Sequence, residues 1–390
     1  MNTKFKAVID SLSPDLLQFA QDLVRIKSYT GSERDVILRV KREMERLHYD
    51  QVLVDQVGSV VGIIGNGPTK VYFDGHMDTV LADPREWSFD PWSGDIQDGF
   101  LRGRGSVDMK SSAAAAVYGA YAARELGYTA GKTIYVSCSV MEEDYEGAAV
   151  DNEFRELNFL PDYAVICEPT RLRICNGHFG RALFEVTVKG VGIHASRHQM
   201  GDNALNKIIP IIQRVERLGK ELLASGGERG SIASTKLVTE SVSINSTPGL
   251  ATLTIDRRTT PEDTEGRLCQ EMDRLCADIP DASWSVVDTY GTSWTSREMV
   301  LHNLMPAWKI PEDHQLVRSA WDVCTDLGME PVVYRRSGFT NGWVTCGRYQ
   351  IPTIVFGAGD EACCHIVDEA CPTDQILRAC AFYTRLEAAL

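Results

Sequence analysis

Apolar and polar positions recur with two different periods along this chain, and the change of period divides it. Near the N-terminus Leu16, Leu17, Phe19, Ala20, Leu23 and Val24 repeat at helical spacing, with Pro14 expected in the first turn of that helix. A second amphipathic stretch carries Val36, Leu38, Val40, Met44 and Leu47. Short β-rich runs follow at 52–54, 60–64, 71–73, 133–136 and 163–166. An Ala- and Ser-rich helical tract from Met109 to near Leu126 separates the third run from the fourth. Strands alternating with helices, several of them unbroken apolar runs, predict a mostly parallel sheet covered on both faces.

The texture changes at residue 181. Ala182–Gly190 alternates inward and outward like a half-exposed antiparallel strand. A long helix then carries Leu205, Ile208, Ile209, Ile212, Val215, Leu218 and Leu222 on one stripe. Residues 235–243 and 251–257 read as two more alternating strands, and 268–277 as another helix. Gly291–Arg297 reads as a hinge, after which strands at 332–334 and 353–356 and a terminal helix from Thr373 resume the first pattern. The expected fold class is therefore α/β. A doubly wound, mostly parallel catalytic domain spans 1–180 and 295–390, with an inserted α+β module at 181–294.

A length of 390 residues agrees with two domains, since a single core stops growing at roughly 250–300. The net charge of −14 repels polyphosphate, which argues against nucleic acid and anionic membranes as partners. No apolar run reaches the roughly 18–20 residues of a membrane span. The first residues lack the apolar core and small-residue cleavage site of a signal peptide. A cytoplasmic protein is expected, and the eleven cysteines, with no CxxC pair among them, then read as reduced, mostly buried thiols.

The chemistry gathers where apolar strands end, the edge at which open parallel sheets bind ligands. After 71–73 comes Asp74-Gly75-His76-Met77-Asp78, where His76-x-Asp78 fits an imidazole ligand oriented by a carboxylate. Gly103-Arg104-Gly105-Ser106-Val107-Asp108-Met109-Lys110 puts Asp108 just before a helix, where an ordinary N-cap is equally compatible. Glu142-Glu143-Asp144 closes another strand, and adjacent carboxylates are unfavourable unless a positive charge neutralises them or water solvates the turn. Glu168 precedes Pro169 at a further strand end, and His365 lies in the late segment Gly357–Glu369. Two divalent metals sharing one carboxylate, with a spare carboxylate as base, would account for the whole set.

These five regions, in this order, resemble the dinuclear zinc family of carboxypeptidase G, succinyl-diaminopimelate desuccinylase, acetylornithine deacetylase and aminoacylase. Ser337–Gly342 with Gly357–Glu361 further resembles the branch of selenium-metabolism-linked hydrolases. The resemblance implies that Asp108 bridges two metals, with His76 and Glu168 completing one ligand set and Glu143 and His365 the other. It makes Asp78 the group that orients His76, and Glu142 the general base and acid. The favoured metal is Zn2+, with Co2+ or Mn2+ also compatible with the ligand types.

The insert resembles a lid and dimerisation domain. Lys189–Ser196 would place His194 near the oxyanion, often from a partner subunit, and Asn245 and Arg258 near the substrate. Turn or solvated-strand roles stay open for all three. Where relatives have Gly-Thr-Asp near the substrate pocket, this chain has Phe339-Thr340-Asn341, which removes an acidic charge and makes Gly338 and Thr340 pocket candidates. Two serines, Ser111 and Ser112, stand where relatives have glycines. The implied enzyme is a homodimeric, metal-dependent hydrolase. It would cleave the amide bond of a small N-acyl amino acid or short peptide-like substrate through a metal-activated water. Alternatives are a dipeptidase or aminopeptidase, and a catalytically silent relative that binds small ligands.

Overall fold

Successive residues of a strand project to opposite faces, and Tyr72 and Phe73 in the strand Thr69–Asp74 bury both faces of one sheet. The Phe73 ring lies 5.5 Å from Tyr383 in the helix Thr373–Leu386. The Tyr72 ring lies 5.1 Å from Phe154 in the helix Ala148–Glu156. Helices thus cover the sheet on both sides, as unbroken apolar strands require. The computed structural model describes residues 3–226 and 229–390. Two units divide the chain: Met1–His178 with Tyr290–Val300 and Lys309–Leu390, and Phe179–Thr289 with Leu301–Trp308. Among the described residues no helix is long and apolar enough to cross a membrane.

In the first unit the strand order is Gln51–Val54, Val60–Gly65, Lys132–Cys138, Thr69–Asp74, Tyr163–Ile166, Thr353–Val355, Ile174–His178, with Val333–Arg336 also paired to the last. The four strands from Lys132–Cys138 to Thr353–Val355 are parallel, and antiparallel pairs flank them. Their register is level at the carboxyl end. Asp74 sits opposite both Ser137 and Ile166, and Ile166 sits opposite Val355. Whatever follows these four residues must emerge along one edge.

Two local expectations are corrected here. The first helix begins at Thr3, so Pro14 lies in its interior. Phe5 is buried together with Leu16, Phe19, Leu23 and Val24, and this shared apolar stripe carries the helix through the one donor that Pro14 lacks. The supposed hinge at Gly291–Arg297 is instead a ribbon, in which Asp288–Thr292 pairs with Glu298–His302. Ser293 and Arg297 close its turn by a 2.9 Å backbone hydrogen bond.

The second unit is an antiparallel sheet ordered Ser231–Glu240, Leu250–Thr259, Gly180–Lys189, Ala282–Val286. Helices Ala204–Ala224 and Glu265–Cys276 supply Ile208, Ile211, Val215, Leu268 and Met272 to its core. The pattern along the chain predicts a one-piece insert at 181–294. In the structure the strand Leu304–Met305 hydrogen-bonds to Gly180–Lys189, and this pairing draws Leu301–Trp308 into the unit.

Candidate metal centre

The level register decides what meets. Thr69–Asp74 leads into His76 and Asp78, Lys132–Cys138 into Glu142 and Glu143, Tyr163–Ile166 into Glu168, and Thr353–Val355 into the loop of His365. That last loop passes very close to its neighbour. A Cβ at Gly357 would lie 2.5 Å from the carbonyl oxygens of Cys167 and Glu168, so only glycine admits the approach. Ser112 contributes to the same crossing, because its hydroxyl accepts the Ala358 N–H at 2.9 Å.

Asp108 stands between two imidazoles. Its Oδ1 is 3.1 Å from His76 Nε2 and its Oδ2 is 3.2 Å from His365 Nε2. On one side Glu168 Oε1 lies 3.7 Å from His76 Nε2. On the other, Glu143 Oε2 lies 3.0 Å from His365 Nε2. The ligand atoms of His76, Asp108 and Glu168 fall within 4.8 Å of one another, as do those of Asp108, Glu143 and His365. Glu142 belongs to neither triad, although its Oε2 comes within 3.9 Å of His76 Nε2.

The protonation pattern shows a cluster short of positive charge. Burial, opposed by His76 and reinforced by Glu168 and Glu143, pushes the Glu142 carboxyl well above its usual range. Burial pushes Glu168 up to about 7 against the pull of Arg336. Burial would raise Asp108 as well, but the hydrogen bonds of His365 and His76 hold it far below the ordinary carboxylate range. Those to Asp108 and Glu143 push the His365 imidazole up to about 10. Carboxylates this close cannot all ionise without added positive charge. Imidazole nitrogens and carboxylate oxygens in this grouping are donors for divalent metals, so the residues fit two cations that share Asp108.

Asp78 does more than face His76. The His76 Nδ1 lies 3.0 Å from the Asp78 backbone carbonyl and 3.5 Å from its carboxylate. That carboxylate accepts the N–H groups of Glu142 and Glu143, each at 3.0 Å, and the Thr30 hydroxyl at 2.8 Å. Glu33, which sequence reasoning missed, accepts the N–H of Met141 at 3.0 Å and so anchors a third consecutive amide of the same turn. Arg336 was also missed. It is buried, with Nη1 3.1 Å from Glu168 Oε2 and Nε 3.2 Å from Glu361 Oε1, close enough for ion pairing but out of line for hydrogen bonds. Neither residue carries a sequence signal. Glu33 looks like polar flank before the helix Arg34–Arg46, and Arg336 like the end of an edge strand.

The remaining candidates separate into two groups. Gly338 donates its N–H to Glu361 Oε1 at 3.0 Å. Thr340 is fully buried and accepts the Gly342 N–H, so its hydroxyl is engaged within its own loop. Asn341 is buried too and donates to Asp74 Oδ2 at 2.8 Å, which puts the change from acid to amide at a neighbour of the sheet edge. His194, Asn245 and Arg258 belong to the second unit. His194 and Asn245 are brought together there: His194 bridges to Ser246, and the Asn245 carbonyl accepts the Ala195 N–H at 2.7 Å. Arg258 pairs with Asp256 at 3.0 Å. All eleven cysteines are free thiols and most are buried, with Cys363 and Cys364 beside His365 half-buried.

Known proteins share this architecture. Residues 72–388 match the profile of Peptidase family M20/M25/M40. The uncharacterized protein YgeY of Escherichia coli K12 is 31% identical over 395 residues, covering 99% of this chain and 97% of its own. A succinyl-diaminopimelate desuccinylase of Corynebacterium glutamicum is 28% identical over 389 residues, covering 96% of each. The Bacillus subtilis YXEP protein, a dinuclear metal-binding peptidase from the M20 family, superposes with a TM-score of 0.71 at 15% identity, over 97% of this chain and 98% of that one. The match over most of the chain, together with the paired His and carboxylate groups at the sheet edge, places the protein in peptidase family M20/M25/M40 as a metal-dependent hydrolase of amide bonds.

Proposed function

We propose that the enzyme cleaves the amide bond of an N-acyl amino acid or a short peptide-like substrate, using two divalent metals held by the sheet-edge cluster. The observation that carries this reading is the pair of triads joined through Asp108, with Glu142 beside them but in neither. Asp108 would hold both ions, His76 and Glu168 would complete one set, and Glu143 and His365 the other. Zn2+ is favoured by imidazole and carboxylate ligands without a thiolate, and Co2+ or Mn2+ suit the same donors. When bound, the ions supply Lewis acidity, which lowers the pKa of water and stabilises a developing oxyanion.

The chain's own part in the reaction is proton handling and positioning. Glu142 takes the proton of the attacking water and delivers it to the departing nitrogen. Its carboxylate lies beside both ligand triads and in neither, with Oε2 3.9 Å from His76 Nε2, which suits a group that passes a proton rather than one that holds a metal. Asp78 holds the backbone of Glu142 and of Glu143 through adjacent N–H groups, so base and ligand start from one fixed turn. We assign His194 to oxyanion assistance, Asn245 and Arg258 to substrate contacts, and Gly338 to the pocket wall, with the buried Thr340 supporting that loop from behind.

Elemental analysis combined with a substrate panel tests the reading. Protein purified without chelator is expected to carry about two divalent ions per chain and to hydrolyse N-acetyl or N-succinyl amino acids until chelated. Turnover confined to substrates with a free α-amino group would replace it with an aminopeptidase or dipeptidase. No metal uptake from zinc, cobalt or manganese would leave a silent relative.

The second unit is our candidate for the lid and dimer interface. Its strand Ser231–Glu240 forms the sheet edge, is exposed along most of its length, and pairs on one side only among the described residues. A long uncovered edge of this kind is a template for a second chain, and we assign that place to another copy of the protein. Lysines at both Leu237 and Val238, each 42% exposed, are expected to turn a dimer into monomers in analytical ultracentrifugation. A variant that stays dimeric removes this strand from the interface. The free thiols support a cytoplasmic location.

A further inference from the structure

One carboxylate outside the metal triads touches the backbone of the shared ligand. Glu369 is fully buried, and both its oxygens are engaged. Its Oε1 accepts the N–H of Val107 at 2.7 Å and of Asp108 at 3.2 Å. Its Oε2 accepts Arg104 Nη1 at 2.7 Å. The Glu369 backbone carbonyl also accepts the Gly103 N–H at 2.9 Å. Arg104 is nearly as buried, lies over the Trp87 ring at 5.0 Å, and points Nη2 at the His365 carbonyl, 3.5 Å away.

A stabilising ion pair is a poor account of this arrangement. Buried pairs seldom outperform apolar residues of similar size, and this one sets another carboxylate beside an already acidic cluster. What the geometry does accomplish is mechanical. Loop 103–108 carries Asp108, and the loop after Thr353–Val355 carries His365. These segments are distant in sequence, and Glu369 with Arg104 ties one to the other at the backbone of both residues.

We propose that Glu369 and Arg104 form a positioning pair that fixes the Asp108 and His365 backbones, so that one carboxylate can serve both metals. The inference rests on the metal reading above. Groups that hold ligands from behind typically govern metal affinity by about 10–100-fold.

Cobalt provides the test, since Co2+ is both the ion bound and a spectroscopic reporter. Glu369→Gln keeps the shape but puts an amide where Oε1 or Oε2 must accept. It is expected to weaken Co2+ binding to the metal-free protein by about 10–100-fold and to alter the visible ligand-field spectrum of the loaded form. Arg104→Met, which leaves the Oε1 contacts in place, should give a smaller loss, with partial recovery in Arg104→Lys. Tyr49→Phe serves as a structural control, because it removes a buried 2.6 Å hydrogen bond to the Val117 carbonyl. It should lower the melting temperature without changing Co2+ affinity.

Folded Glu369→Gln and Arg104→Met proteins with parental affinity and spectrum would overturn the inference while the metal centre stands. If Glu369→Gln fails to fold, the Arg104 pair decides the question by the same readouts. A parent protein that binds no Co2+ would overturn the metal reading and this inference with it.

Discussion

Replacing Glu142 by alanine is expected to leave the fold and the bound metal unchanged while turnover falls on the order of 10²–10⁴-fold, the usual weight of a positioned acid–base group. The separation of effects follows from where the residue sits. Its carboxylate lies outside both ligand triads, so neither ion should lose a donor. Its backbone N–H, rather than its side chain, is what Asp78 holds, so the turn should survive the truncation. Glu142→Gln should fall about as far as alanine, because it keeps the volume and loses the base. Steady-state kinetics with elemental analysis of the same samples check the result. Unchanged turnover would remove Glu142 from proton transfer, and lost metal would make it a ligand.

Replacing Asp108 by alanine should empty both metal positions together. Each of its oxygens faces a different imidazole, at 3.1 and 3.2 Å, and each triad is left with two donors when it is gone. A two-donor remnant should bind weakly, and the loss should exceed the roughly 10–100-fold expected of a supporting residue such as Glu369. Calorimetric titration of the metal-free variant measures this directly. Retention of a normal pair of ions would refute the shared-ligand assignment, and loss of a single ion would assign Asp108 to one side alone.

Much of the frame behind these expectations is legible in local pattern. The strands at Thr69–Asp74, Lys132–Cys138, Tyr163–Ile166 and Thr353–Val355 are short apolar runs, and each leads into a segment that bears an acid or a His. Pattern misleads where a local rule yields to packing. Pro14 looks like a helix start, but Phe5 extends the buried stripe one stretch further. Gly291–Arg297 has the composition of a hinge, yet the flanking residues pair as strands, and pairing depends on a partner that no short window contains.

The alternation of buried strands and helices, the switch to half-exposed strands after residue 181, and the order of the His and carboxylate motifs can all be read along the chain. Those depend on periodicity and residue type, which are local properties. Which groups stand behind the motifs emerges only when the chain is folded. Glu33, Arg336 and Glu369 read as ordinary polar residues along the chain, and each becomes significant through burial against amides or charges remote in sequence. The physical reason is that a charge is cheap in water and costly inside. The partners of a buried charge are therefore set by which segments close over it, and for Glu33, Arg336 and Glu369 those segments lie far away along the chain.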